Sequence, residues 1–135
     1  MGDKIIVNAK GTVLGRMGTY VAKELLKGNS VDVINAEETA MSGNKKDILN
    51  KIIAMRKKGG TSLRGPKYPK LADRFVKRKI RGMLPREKTK GREAFKRLKC
   101  YIGNPLKEDQ MKSVKELKHN VPFKNLKIKE IMKLI

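Results

Sequence analysis

Apolar positions along this chain change period several times, and each change marks an element. Lys4 to Asn8 (KIIVN) is a short β-branched run without alternation, the pattern of a strand covered on both faces. After a turn with Gly11, Leu14, Met17, Val21 and Leu25 recur at helical spacing, with Arg16, Lys23, Glu24 and Lys27 on the remaining surface. Gly28 and Asn29 mark the stop of that helix. A second β-branched run, Ser30 to Asn35 (SVDVIN), follows at once. Strand, helix and strand in so short a span predict a βαβ unit, with parallel strands and a right-handed crossover.

A second helix is predicted after Ser42-Gly43-Asn44, with Asn44 as cap and Asp47 at the positive end of the dipole. Ile48, Leu49, Ile52, Ile53 and Met55 form its buried side, and it runs out at Lys57-Lys58-Gly59-Gly60. From there through RGPKYPK the density of Gly and Pro predicts an extended basic loop carrying Arg64, Lys67 and Lys70. Helical spacing returns from Leu71 to Met83, where Ala72, Phe75, Val76, Ile80 and Met83 form the packing stripe. Arg74, Lys77, Arg78 and Arg81 fill much of the rest. Pro85 forces a break, and a further basic helix over Gly91 to Lys99 is expected to bury Phe95 and Leu98 while exposing Arg92, Lys96 and Arg97. A short strand at Cys100 to Ile102 ends in Gly103-Asn104-Pro105. The reading is one α/β domain over residues 1–105, then a Lys-rich extension over 106–135 with a small terminal helix (KIKEIMKLI).

Charge changes this picture from a fold to a function. Charged residues make up 35% of the 135 residues and the formal net charge is +21, against roughly 25% charged in ordinary globular chains. The excess is concentrated: Arg56 to Lys99 holds eighteen Lys and Arg against three acids, Asp73, Glu87 and Glu93. A solvated helix face mixes signs, and this stretch does not. Such a block repels itself, and a polyanion relieves it, because each phosphate met by a cation also releases condensed counterions. Besides the residues already named, the block offers Arg56, Lys57, Lys58, Arg86, Lys88 and Lys90. Its aromatics are few: Tyr68 in the loop, and Phe75 and Phe95 on packing stripes. That pattern favours phosphate and shape recognition of folded RNA or duplex DNA over rows of stacked bases.

Other chemistries find little in the chain. One cysteine, Cys100, and one histidine, His119, exclude an intrachain disulfide and a four-ligand zinc site. No metal or other cofactor is expected. Gly11-Thr-Val-Leu-Gly15-Arg16 stands where a nucleotide loop would, but three residues separate its glycines and Arg-Met follows, unlike either the dinucleotide or the Walker pattern. It reads as a packing turn, and Gly15 with Arg16 at a helix start also suits an RNA phosphate. The same spacing argues against a methyltransferase cofactor loop after Val7. Glu37 with Glu38, and Ser42 with Lys45, lack the partners that acid–base or nucleophilic catalysis needs, so no enzyme and no small-molecule substrate are expected. The apolar run Ile5-Ile6-Val7 is too short for a signal peptide or a membrane span, which predicts a soluble cytoplasmic protein without a membrane partner.

Three segments resemble one family, the universal large-subunit ribosomal protein L-thirteen in its archaeal and eukaryotic form. They are NAKGTVLGRMGTYVAKELLKG (Asn8 to Gly28), VDVINAEETAMSGNKK (Val31 to Lys46) and RGPKYPKLADRFVKRKIRGMLPREKTKGREAFKRLKCYIGNP (Arg64 to Pro105), about three quarters of the chain. The most specific part runs from Arg81-Gly82-Met83-Leu84-Pro85 through Gly91-Arg92 to Leu98 and Tyr101-Ile102-Gly103. The resemblance implies a three-layer α/β domain with a small parallel sheet, bound to large-subunit ribosomal RNA and acting in subunit assembly and stability without catalysis. Carried over position by position, it implies RNA contacts at Arg16, Lys45, Lys46, Arg64, Lys67, Arg74, Lys77, Arg78, Arg81, Arg86, Arg92 and Arg97. The charge of the block adds Arg56, Lys57, Lys58, Tyr68, Lys70, Lys88, Lys90 and Lys96 as candidates. Neighbouring large-subunit proteins are the implied protein partners; the extension after Pro105 matches the family poorly and lies outside what the resemblance carries over. An architectural, chromatin-like DNA-binding protein is the competing reading, supported by charge and not by the order of motifs.

Overall fold

In the computed structural model residues 2–58, 68–106, 114–117 and 121–135 are described. Four parallel strands form the central sheet in the order β4-β2-β1-β5: β1 (Lys4–Asn8), β2 (Ser30–Ile34), β4 (Leu98–Cys100) and β5 (Val114–Glu116). The predicted βαβ unit is present, with α1 (Leu14–Leu26) between β1 and β2 and Val7 registered against Val33. Val7, Val31 and Val33 are fully buried, as a strand covered on both faces requires. β2 leaves the sheet at Asn35, which takes φ 55° and hydrogen-bonds Asn8 through its side chain, so the strand ends one residue earlier than its polar pattern suggests.

Helices flank the sheet: α2 (Lys45–Lys57), α3 (Ala72–Arg81), α4 (Thr89–Lys96) and, at the C-terminus, α5 (Ile128–Leu134). Met17, Val21 and Leu25 of α1 meet the buried stripe of α3, namely Ala72, Phe75, Val76 and Ile80. On α2, Ile48 and Ile52 are buried while Leu49, Ile53 and Met55 are half-buried. Asn44 stands at the N-cap position of α2 without capping it; its amide donates to Asp47 at 3.2 Å instead.

The structure corrects three further boundaries. First, α3 ends at Arg81, and Met83 is 39% exposed while Leu84 is buried at 6%. Two turn bonds, Met83 N–H to the Ile80 carbonyl and Leu84 N–H to that of Arg81, swing the chain so that Leu84 enters the core while the Met83 thioether lies against Gly18 of α1 at its edge. Pro85 contributes by disfavouring helical backbone at Leu84. Second, α4 starts before Gly91 and ends at Lys96. Gly91 lies inside it because a Cβ there would overlap the carbonyl of Pro85, so the turn and the helix pack backbone to backbone. Third, the strand after α4 is Leu98 to Cys100 and not Cys100 to Ile102. Leu98, fully buried, continues the i, i+3 spacing from Phe95 and so reads as helix in sequence, yet it pairs with Val31 in the sheet.

The C-terminal extension adds to the body of the fold. β5 pairs in parallel with β1, and β6 (Asn125–Lys127) pairs antiparallel with β3 (Ala40–Ser42) in a second, two-stranded sheet. Ile128 and Ile131 of α5 are fully buried in the same core as the βαβ unit. Each contributes roughly 1.5–3 kcal/mol by leaving water.

Candidate nucleic-acid interface

The cations of α3 are held by its amphipathic pattern. With Phe75, Val76 and Ile80 buried, Arg74 projects fully to solvent, while Lys77, Arg78, Lys79 and Arg81 lie half-buried along the flanks. Three of these lie over aromatic rings: Lys77 Nζ is 5.1 Å from the Phe95 centroid, Arg78 Cζ 4.2 Å from that of Tyr68, and Lys79 Nζ 5.5 Å from that of Phe75. The rings hold these charged ends in place, which lowers the entropy lost when a ligand orders them.

Two of the clefts that border α3 are rich in cations. One, of about 270 Å³, is lined by Tyr68, Phe75, Arg78, Lys79, Arg81, Gly82 and Arg86, four cations and no acid among the described residues. Its electrostatics are correspondingly strained. Burial, then Arg86 and Arg78, disfavour the charged form of Arg81 and lower its pKa. Burial, then the repulsion of Lys51, does the same to Lys79, with Tyr68 opposing and Arg78 adding a smaller repulsion. A phosphate entering this cleft reverses the sign of the local field. The second cleft, of about 250 Å³, is lined by Asp73, Arg74, Lys77, Lys99, Cys100 and Tyr101. Burial pushes the Cys100 thiol up to about 12, so it is a protonated, unreactive packing group at neutral pH.

The structure thus brings Tyr68, Arg78, Arg81 and Arg86 together, and Arg74 with Lys77. Arg16 on α1, Lys45 and Lys46 at the start of α2, and Arg56, Lys57 and Lys58 at its end are exposed and lie outside both clefts, as does Lys70. Lys88, Lys90, Arg92 and Lys96 are exposed along α4 and its approach, where Arg92 also bonds Thr89 Oγ1 at 3.4 Å. Arg64 and Lys67 fall outside the described residues. Arg97 differs from all of these. Its guanidinium donates to the carbonyls of Leu25 at 2.7 Å and Asn29 at 3.3 Å, satisfying the C-terminal end of α1. Lys79 and Lys99 line the clefts and escaped the sequence reading. Lys79 stands one turn after Phe75, a spacing that places it over that ring and could have revealed it.

Acids outside the basic block are engaged elsewhere: Lys4 pairs with Asp32 at 3.2 Å, Lys27 with Glu24 at 3.1 Å, and Glu38 with both Lys127 and Lys129 at 3.2 and 2.8 Å. The first joins β1 to β2, the second closes the end of α1, and the last two hold the C-terminal strand and helix to the turn after β2; none of these acids lines either cleft.

A family profile described as Ribosomal protein L13 matches residues 3–107. Among similar proteins, one from Methanococcus maripaludis is 45% identical over 104 residues, covering 75% of this chain and 76% of the other. One from Natronomonas pharaonis is 40% identical over 107 residues (79% and 73%), and one from Methanocaldococcus jannaschii 43% over 103 (74% and 75%). All three bear the name large ribosomal subunit protein uL13.

Proposed function

Because the chain belongs to the ribosomal protein L13 family, we propose that it is a non-catalytic structural constituent of the large ribosomal subunit, bound to large-subunit ribosomal RNA through the cationic surface of α3, the turn after it and α4. The observation that carries this reading is the convergence of Arg78, Lys79, Arg81 and Arg86 on one cleft that no acid lines among the described residues. Four like charges at one site weaken the free protein, and an RNA backbone with closely spaced phosphates offsets that repulsion at each position.

Few aromatics face this surface, so recognition rests on phosphate spacing and RNA shape. Arg74, Lys77, Arg78, Arg81 and Arg86 are the central contacts. Arg92 and Lys96 extend them along α4, and Arg16, Lys45 and Lys46 serve as peripheral ones. Arg97 is assigned to holding α1 against β4. By fixing RNA segments against a rigid α/β body, the protein supports assembly and stability of the subunit, beside neighbouring ribosomal proteins.

The test is sedimentation of extracts from cells producing this chain. Cofractionation with the large subunit in high salt is the expected result. Recovery with nucleoid DNA, or release as free protein while other subunit proteins stay bound, overturns the reading.

A further inference from the structure

Phe123 is fully exposed, whereas the next most exposed large apolar side chains, Ile102 and Leu134, are about half covered, at 53% and 52%. Its backbone is nonetheless fixed. The Asn125 side-chain amide donates to the Pro122 carbonyl at 2.7 Å and to that of Phe123 at 3.5 Å. On the other side, Gly43 N–H donates to the Lys124 carbonyl at 3.0 Å, and Asn125 is registered against Ser42 in the β3–β6 sheet. Pro122 restricts the preceding φ. A phenyl ring held outward by a bonded turn is preorganised for a partner rather than waiting to collapse onto its own core.

The surroundings say which kind of partner. Lys124 is exposed next to the ring, and the Gly43 contact brings the turn to the start of α2, where Lys45 and Lys46 are exposed. The nearby acid, Asp47, accepts from Asn44. An aromatic face among three exposed lysines, with the acid Asp47 beside them, matches a nucleobase with its flanking phosphates and mismatches the apolar pocket of a protein.

We propose that Phe123 stacks on an unpaired base of the RNA, with Lys124, Lys45 and Lys46 meeting the adjoining phosphates. This is a second contact, separate from the α3 clefts, and it rests on the RNA-binding reading above. It also supplies the stacking aromatic that the basic block lacks.

The chain contains no tryptophan, so Phe123→Trp places a single fluorophore at the site. Full-length protein is titrated with purified large-subunit RNA, alongside Phe123→Ala and Phe123→Leu. Expected are severalfold quenching of the indole emission on binding, and a loss of affinity of about tenfold for both Ala and Leu, since stacking needs the π-face. Because Phe123 is fully exposed, thermal melts of the three variants should match wild type. If wild type binds this RNA but the indole emission of Phe123→Trp is unchanged and Phe123→Ala binds equally, the stacking contact is refuted and the α3 interface stands. Emission that shifts only in assembled subunits and not on RNA places Phe123 in a protein pocket and also refutes it. Failure of wild type to bind the RNA at all overturns both readings.

Discussion

The guanidinium of Arg97 donates to the carbonyl of Leu25 at 2.7 Å across 72 residues of sequence, joining the end of α4 to the end of α1. Arg97 is one of the basic residues of the motif run, yet this bond and its partner to Asn29 occupy it with backbone. Arg97→Gln should therefore lower the unfolding free energy by roughly 1.5–3 kcal/mol, the worth of hydrogen bonds from a charged donor. RNA affinity of the folded fraction should stay within about twofold. Chemical denaturation and RNA titration of the same sample separate the two effects.

Leu84 rather than Met83 anchors the turn after α3. Leu84→Ala should destabilise by roughly 2–5 kcal/mol, as for other buried leucines. Met83→Asp, at a position 39% exposed whose thioether lies against Gly18 of α1, should cost less, roughly 1–2 kcal/mol, because the new carboxylate reaches water. Equal losses for the two would show that Met83 anchors the turn as firmly as Leu84.

Gly91 touches the Pro85 carbonyl so closely that a side chain cannot enter. Gly91→Ala improves helix propensity locally by about 1 kcal/mol, yet it should lower stability overall by roughly 1–3 kcal/mol through overpacking against backbone. A stability gain in thermal melts would mean that α4 is free to slide away from the turn.

The contrast among these positions shows where sequence was informative. Ile5 to Val7, the α1 stripe and Val31 to Ile34 declared themselves, because strands covered on both faces are unbroken β-branched runs and the helix between them keeps a clear helical period. β3, β5 and β6 did not, since three-residue strands carry too few side chains for a period, and β5 finds its place only by pairing with the far edge of β1. Leu84 was missed because Met83 continues the helical stripe by one more step, and nothing local reveals that the turn substitutes its neighbour. The cations of the interface were legible as a block. Their sorting was not: Arg97 turns inward, Lys79 lines a cleft, and both outcomes depend on residues far away in sequence.

Cys100 provides a check by pH. Its folded value, about 12, lies above the ordinary 9.0, so the unfolded chain loses its proton first as pH rises. Stability owed to the neutral thiol is intact below about 9 and declines from there towards 12, by at most about 1.4 kcal/mol per pH unit. Replacing Cys100 by Ala should remove that part of the alkaline decline while leaving the slope below pH 8 unchanged. Denaturant midpoints of the two proteins, compared across this window, test the sign.

The central claim is that the cations beside α3 meet RNA phosphates, and the salt dependence of binding reports that most directly. Affinity for large-subunit RNA is measured across a range of salt concentrations for wild type and for a variant with Arg78, Arg81 and Arg86 all changed to Gln. Each lost contact should reduce the slope of log affinity against log salt by roughly 0.7–0.9, so the variant should bind more weakly at low salt with a slope lower by about 2–3. The fold should persist, since Arg78 and Arg81 flank the packing stripe, Arg86 is exposed in the turn after it, and both Arg78 and Arg86 repel Arg81. A variant that folds normally and keeps both the wild-type affinity and the wild-type slope would contradict the account.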